Sequence, residues 1–180
     1  MLIDSHCHLS ELSEEELGEV LAAAKANQVE ALVAIGAGYG FDDNLKTLEI
    51  AKKHDNIFCA LAMHPHDAKE VTGENFAVLK NIIETEPKVK AVGEIGLDYH
   101  YMHSDKTKQQ EVLRQFIKLA LEVKKPIVIH DRDCGDDCIN ILKEESAEKV
   151  GGMVHCFTGT MDLAKKYLDF GFIVSFTGII

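Results

Sequence analysis

Five side chains with the chemistry to hold metal ions stand where short apolar runs stop. His6 and His8 follow Met1-Leu2-Ile3, Glu94 follows Lys90-Ala91-Val92-Gly93, His130 follows Pro126-Ile127-Val128-Ile129, and His155 follows Gly152-Met153-Val154. Neutral imidazole suits Zn, Mn, Fe and Ni alike, and nitrogen–oxygen donor sets serve Mg less well. His6 and His8 lie two apart, a spacing that puts both rings on one side of a strand, where they can bind one ion together. Glu94 belongs to Gly93-Glu94-Ile95-Gly96-Leu97-Asp98-Tyr99. A carboxylate at the end of a buried strand is costly unless paired or bound to metal, and its two oxygens can bridge ions roughly 3.5–4 Å apart. The plainer alternatives are a buried pair with Lys or Arg for Glu94 and hydrogen-bonded core positions for His130 and His155. Asp4, Asp98 and Asp131 are candidates for orienting such ligands.

The elements that must position these groups alternate regularly. Strands are expected at Met1–Asp4, Val29–Ile35, Ile57–Met63, Lys88–Ile95, Pro126–His130, Val150–Cys156 and Phe172–Phe176. Helices are expected at Leu12–Asn27, Asp42–His54, Phe76–Thr85, Lys108–Lys124, Cys138–Glu145 and Leu163–Phe170. The first should face the core with Leu17, Val20, Leu21 and Ala24, and the second with Phe41, Leu45, Leu48 and Ala51. The clearest stripe, Val112, Leu113, Phe116, Ile117, Ala120 and Leu121, belongs to the fourth. Continuous apolar strands separated by helices imply a parallel α/β fold with both sheet faces covered. A doubly wound sheet keeps its chemistry near one switch point, whereas here the candidate ligands follow the first, fourth, fifth and sixth strands. That spread fits a (β/α)8 TIM barrel, whose strand ends all face one mouth. The expectation is one barrel domain over residues 1–180, truncated after about the seventh strand. It would be either a fragment or a barrel closed by a partner or a swapped segment, because open parallel edges are a liability.

Hydrophobic residues make up 46% and charged residues 27% of the chain, the profile of a soluble globular protein. No apolar stretch approaches the ~20 residues of a membrane span, and no signal-peptide layout precedes the first strand, so a cytoplasmic location is expected. The five cysteines form no paired CxxC units and read as reduced thiols, with Cys134 and Cys138 as plain helix residues. A net charge of -11 argues against tight non-specific nucleic-acid binding, but metal ions can reverse the field at a cleft, so a nuclease is not excluded.

The chain resembles the TatD family of metal-dependent deoxyribonucleases, among the amidohydrolase-like barrels. The likeness lies in Ile3-Asp4-Ser5-His6-Cys7-His8-Leu9, Met63-His64-Pro65-His66, Gly93-Glu94-Ile95-Gly96-Leu97-Asp98-Tyr99, Pro126-Ile127-Val128-Ile129-His130-Asp131-Arg132-Asp133 and His155-Cys156-Phe157-Thr158-Gly159. These stretches fall in the family's order. The resemblance implies two divalent ions: His6 and His8 on the first, Glu94 bridging as the catalytic carboxylate, and His130 and His155 on the second. It also implies DNA as substrate, single-stranded or at chain ends. His64 would touch the scissile phosphate or act as a supporting polar residue, and His66 has a weaker claim. Arg132 would contact a phosphate with its planar donors or pair with Asp131 or Asp133. His54, His100 and His103 read as surface residues. The family's further aspartate, in a Thr-Asp motif ending the eighth strand, has no match before Ile180.

Two other readings stay open. Amidohydrolase-like barrels acting on amides, lactones or other esters share the His-x-His opening, although a carbamylated lysine bridge would favour them and Glu94 holds that position here. An inactive, truncated metal-binding form is the third.

Overall fold

The computed structural model describes residues 2–178; Met1, expected at the head of the first strand, and Ile179 and Ile180 lie outside the described residues. The elements run β1 (Leu2–Cys7), α1 (Glu14–Ala26), β2 (Val29–Ile35), α2 (Phe41–Lys53), β3 (Ile57–Leu61), α3 (Gly73–Thr85) and β4 (Val89–Asp98). They continue with α4 (Lys106–Val123), β5 (Ile127–Arg132), α5 (Asp137–Glu144), β6 (Gly152–His155), α6 (Met161–Asp169) and β7 (Ile173–Val174). Short 3-10 turns at Pro65–Glu70 and Ala147–Lys149, not foreseen from the sequence, link β3 to α3 and α5 to β6. Every strand pairs in parallel with its sequence neighbours, in the order β1 to β7. The sheet curls into part of a (β/α)8 barrel that extends to the seventh strand among the described residues.

Two apolar layers follow from strand alternation. The larger lies between sheet and helices, with Val112, Leu113, Phe116, Ile117 and Ala120 of α4 against the sheet; Leu119 completes that face, while Leu121 is only partly buried. A smaller cluster fills the concave side: Ile35 and Ala37 at β2, Ala60 of β3, Ala91 of β4 and Val128 of β5, with Val33 and Met153 against it. His130 and His155 lie two residues beyond Val128 and Met153, so the pleat carries them onto the same concave side.

Several expected faces are corrected. No residue of α1 is fully buried, and Val20 is 39% exposed. The buried face of α2 is rotated to Asp43, Asn44, Thr47, Leu48 and Ala51. Asn44 explains part of the rotation: its side chain bonds both ways with the Ala62 backbone, at 2.9 and 3.0 Å, where β3 ends. β1 is exposed along its first half, unlike the fully buried strands expected, because among the described residues it has one strand partner and no buried α1 residue over it. β1, β4 and β5 run past their expected ends: His6, expected beyond the first strand, lies within it, and Glu94 and His130, expected at or next to strand ends, lie further inside theirs. Cys134 falls in the turn before α5 and not in a helix; all five cysteines are free.

Phe116 is fully buried and meets Phe76 edge-to-face at 5.2 Å. Replacing it by alanine should cost ~3–5 kcal/mol of unfolding free energy in urea melts. Leu2→Ala, at a residue 58% exposed, should stay within ~0.5 kcal/mol.

Candidate metal centre

Glu94 owes its position to a fault in the sheet. The register between β4 and β5 shifts between Val92 and Ile95, and that between β1 and β2 shifts between Asp4 and Cys7. Ala91 faces the concave side and strict alternation would bring Gly93 and Ile95 there too, yet Ile95 packs in the outer layer and Glu94 turns inward. Bulges of this kind re-aim side chains. Gly93 and Gly96 permit the close packing around it. A Cβ on Gly93 would stand 2.7 Å from Val128 Cβ, and one on Gly96, whose φ is +153, would collide with the His130 carbonyl.

His6, His8, His64, Glu94, His130 and His155 line one cavity of roughly 400 Å³ at the ends of the strands. Glu94 is the hub. Its Oε2 lies 3.2 Å from His6 Nε2 and its Oε1 lies 3.1 Å from His130 Nδ1. Donor atoms of His6, His8 and Glu94 all fall within 4.8 Å of one another, as do those of His64, Glu94 and His130. Glu94 therefore belongs to two adjacent sets of three. His155 joins neither: its ring stacks on His6, centroids 3.2 Å apart and 3° from parallel. The resemblance implies a second ion on His130 and His155, which are register partners on β5 and β6; the donor atoms that fall together with those of His130 and Glu94 are those of His64.

A third set is formed by His66, Asp98 and His130. Asp98 Oδ2 accepts from His66 Nε2 at 2.9 Å and His130 Nε2 at 3.0 Å, and Oδ1 accepts from the His100 and Tyr101 amides. Asp98 is held by Gln109, which the sequence reading passed over. Gln109 Oε1 accepts from the Asp98 amide at 2.7 Å, and its Nε2 donates to the carbonyls of Asp98 and Ser104. The available signal was a polar residue three before Val112 on the core face of α4. Asp4 is exposed and only receives the His6 amide, and Asp131 turns away to accept from Cys134 at 2.7 Å and from Tyr167. Neither orients a ring of the cavity. Arg132 pairs with neither Asp131 nor Asp133: its guanidinium lies over Tyr101, 4.8 Å from the ring centroid. His103 and His100 are exposed, His100 pairing with Asp133 at 2.9 Å, and His54 is half-buried.

The electrostatics are those of buried acids among imidazoles. Burial pushes the Glu94 carboxyl up, but His130 and His6 outweigh it and hold it well below the usual carboxylate range. Asp98 is likewise lowered against its burial, by His130, the Tyr101 amide and His66. His130, between the two carboxylates, is raised to about 9 although burial opposes it. Burial and the neighbouring His130 lower His64 to about 3, and burial and His6 lower His155 to about 4. Both nitrogens of His6 and Nδ1 of His155 are buried without a hydrogen-bond partner among the described residues. Buried unpaired lone pairs beside an ionised carboxylate fit a divalent cation.

A protein-family model described as TatD related DNase matches residues 3–180. The chain belongs to the TatD-related DNase family. It is 44% identical over 179 residues to the uncharacterized metal-dependent hydrolase YabD of Bacillus subtilis, covering 99% of this chain and 69% of that protein. It is 32% identical over 187 residues to human deoxyribonuclease TATDN3, covering 97% of this chain and 67% of that one. Among solved structures, a TatD-family hydrolase of Entamoeba histolytica superposes with a TM-score of 0.89 at 27% identity, over 98% of this chain and 65% of that one. The TatD homologue YjjV of Escherichia coli gives 0.82 at 26% identity, over 96% and 66%. The chain thus spans about two thirds of the length of these relatives. Membership makes it a metal-dependent hydrolase by family, with a truncated TIM-barrel fold. Among the described residues no helix is long and apolar enough to cross a membrane.

In this TatD-related chain, two tests follow. Gln109→Ala leaves the Asp98 backbone and the Ser104 carbonyl unpaired and should cost ~2–4 kcal/mol in urea melts. His130, with a folded pKa of about 9 against ~6.5 unfolded, contributes stability that is full below pH 6.5 and lost as pH rises through 9. Unfolding free energies of the chelator-treated chain from urea melts should fall between pH 7.5 and 8.5 by on the order of 1 kcal/mol, above the range near pH 6.5 where His64 and His155, held low by burial, work in the opposite sense, and His130→Gln should flatten that slope. The window stops short of the thiols, where Cys7 and Cys59, pushed up to about 12 by burial, add a loss of their own.

Proposed function

We propose that this chain carries the cation-binding half of a phosphodiesterase acting on DNA, on single strands or strand ends. The observation that carries the reading is the sharing of Glu94 between two adjacent donor sets in one cavity. His6, His8 and Glu94 would hold one divalent cation, and Glu94 with His130, His64 or His155 a second. The identity of the cations is left open among Mg, Mn, Zn, Fe and Ni. The human relative named as a deoxyribonuclease supports DNA as the substrate.

Cations so held acidify water and neutralise charge developing on phosphoryl oxygens. The remaining work falls to the chain's own groups. Glu94 stays ionised against its burial, so it meets cations as a full carboxylate at neutral pH. As the shared ligand it has little basicity to spare, and its part is to fix the spacing of the two sets. His64 stays neutral, its Nδ1 accepting from the His66 amide at 3.2 Å and its Nε2 lying 3.2 Å from His130 Nδ1, within the cavity. A neutral ring there can meet a phosphoryl oxygen without adding charge. Arg132 is the cationic contact for a flanking phosphate. The same framework would accept an amide or carboxylic ester, and substrate comparison separates the readings.

Wild-type chain supplied with Mn²⁺ should cleave a short single-stranded oligonucleotide faster than small amide or lactone substrates. Glu94→Gln should lower that cleavage at least ~100-fold, as removal of a ligand itself should exceed the 10–100-fold loss from removing its supporting partners. Cleavage at the wild-type rate by the variant would sink the shared-ligand role.

A further inference from the structure

The loop of residues 99–105, between β4 and α4, gathers aromatic rings and cations beside the cavity. Tyr101 is 51% exposed. Its ring lies parallel to His103 at 5.7 Å and edge-on to His66 at 5.6 Å, and His66 in turn reaches Asp98. Three cationic heads flank the loop. Arg132 lies 4.8 Å from the Tyr101 centroid, Lys106 Nζ lies 3.9 Å from that of Tyr99, and Lys69 Nζ donates to the His103 carbonyl at 3.1 Å. None of the three has a carboxylate within ion-pair distance among the described residues, although the chain carries a net charge of -11. The nearby carboxylates are engaged elsewhere: Asp98 by the histidines, Asp105 by the Lys108 amide, Asp133 by His100 and Asp137 by the Tyr99 hydroxyl. Arg132 also borders a small cleft with His130 and His155, two residues that line the main cavity as well.

Unpaired cations interleaved with exposed planar rings are the chemistry that tracks a single strand: phosphates on the cations, bases on the rings. Duplex DNA hides its base faces in the stack and would leave Tyr101 without a role. We infer that loop 99–105 is a single-strand subsite in which Tyr101 stacks a nucleobase next to the cleaved linkage while Arg132 takes the adjoining phosphate. The inference rests on the nuclease reading and deepens it.

The test is fluorescence anisotropy with a labelled 12-nucleotide single strand, in chelator so that nothing is cut, alongside an abasic strand of equal length. Tyr101→Ala should weaken binding of the base-bearing strand about tenfold, as loss of one base–aromatic stack predicts. Tyr101→Phe should bind like wild type. On the abasic strand Tyr101→Ala and wild type should not differ, which also controls for folding. Equal binding of the base-bearing strand by wild type and Tyr101→Ala, or an equal loss on both strands, overturns the inference. Cleavage of the same oligonucleotide after adding Mn²⁺ reads the nuclease proposal separately. A strand that is cut without dependence on Tyr101 sinks only the subsite, whereas one neither bound nor cut sinks both.

Discussion

Two buried carboxylates on one strand set the terms for the rest of this structure. Glu94 and Asp98 are 3% and 0% exposed, both on β4 and both ionised. Negative charge taken out of water must be met by positive charge or by hydrogen bonds, or the fold loses several kcal/mol per group. Here the compensation comes from imidazoles. His130 stands between the two acids and keeps its proton, while His6 approaches the outer oxygen of Glu94 and His66 shares Asp98. The centre thus gathers two buried negative charges that a single proton on His130 answers only in part, and both nitrogens of His6 lie without a hydrogen-bond partner among the described residues.

The barrel supplies what such a centre requires. Parallel strands in sequential order bring side chains from β1, β4, β5 and β6, far apart in the chain, to one rim. Alternation sends His130 and His155 to the concave side without further devices. Glu94 needs the bulge, and the bulge needs glycine on either side, because Val128 and the His130 carbonyl press against the backbone there. Local irregularity in β4 is therefore part of the functional geometry.

Much of this was legible in the sequence. The alternating elements, the parallel barrel and the gathering of His6, His8, Glu94, His130 and His155 at one mouth follow from apolar runs and what stands at their ends. The misses have physical causes. Parity along β4 cannot reveal that Glu94 faces inward, because a bulge resets it. The burial of Asp43, Asn44 and Thr47 on α2 defeats an apolar-stripe rule, since Asn44 is wanted for its hydrogen bonds to Ala62. Gln109 hides for the same reason. Asp131, beside His130 in the sequence, looked like a supporting ligand, but adjacent strand residues point to opposite faces, and it serves Tyr167 and Cys134. The approach of His64 to His130, at 3.2 Å, depends on the 3-10 turn after β3, which carries no periodic signal.

The exposure of β1 has a mechanical side. This strand has one neighbour and little helix cover, yet it bears His6 and His8, whereas Glu94 is rooted in the most enclosed strand of the sheet. A cation gripped by all three would act as a rivet, fastening the exposed first strand to the buried fourth. Loading the centre would then couple the first β/α unit to the middle of the sheet, so that occupancy and the rigidity of β1 would rise together.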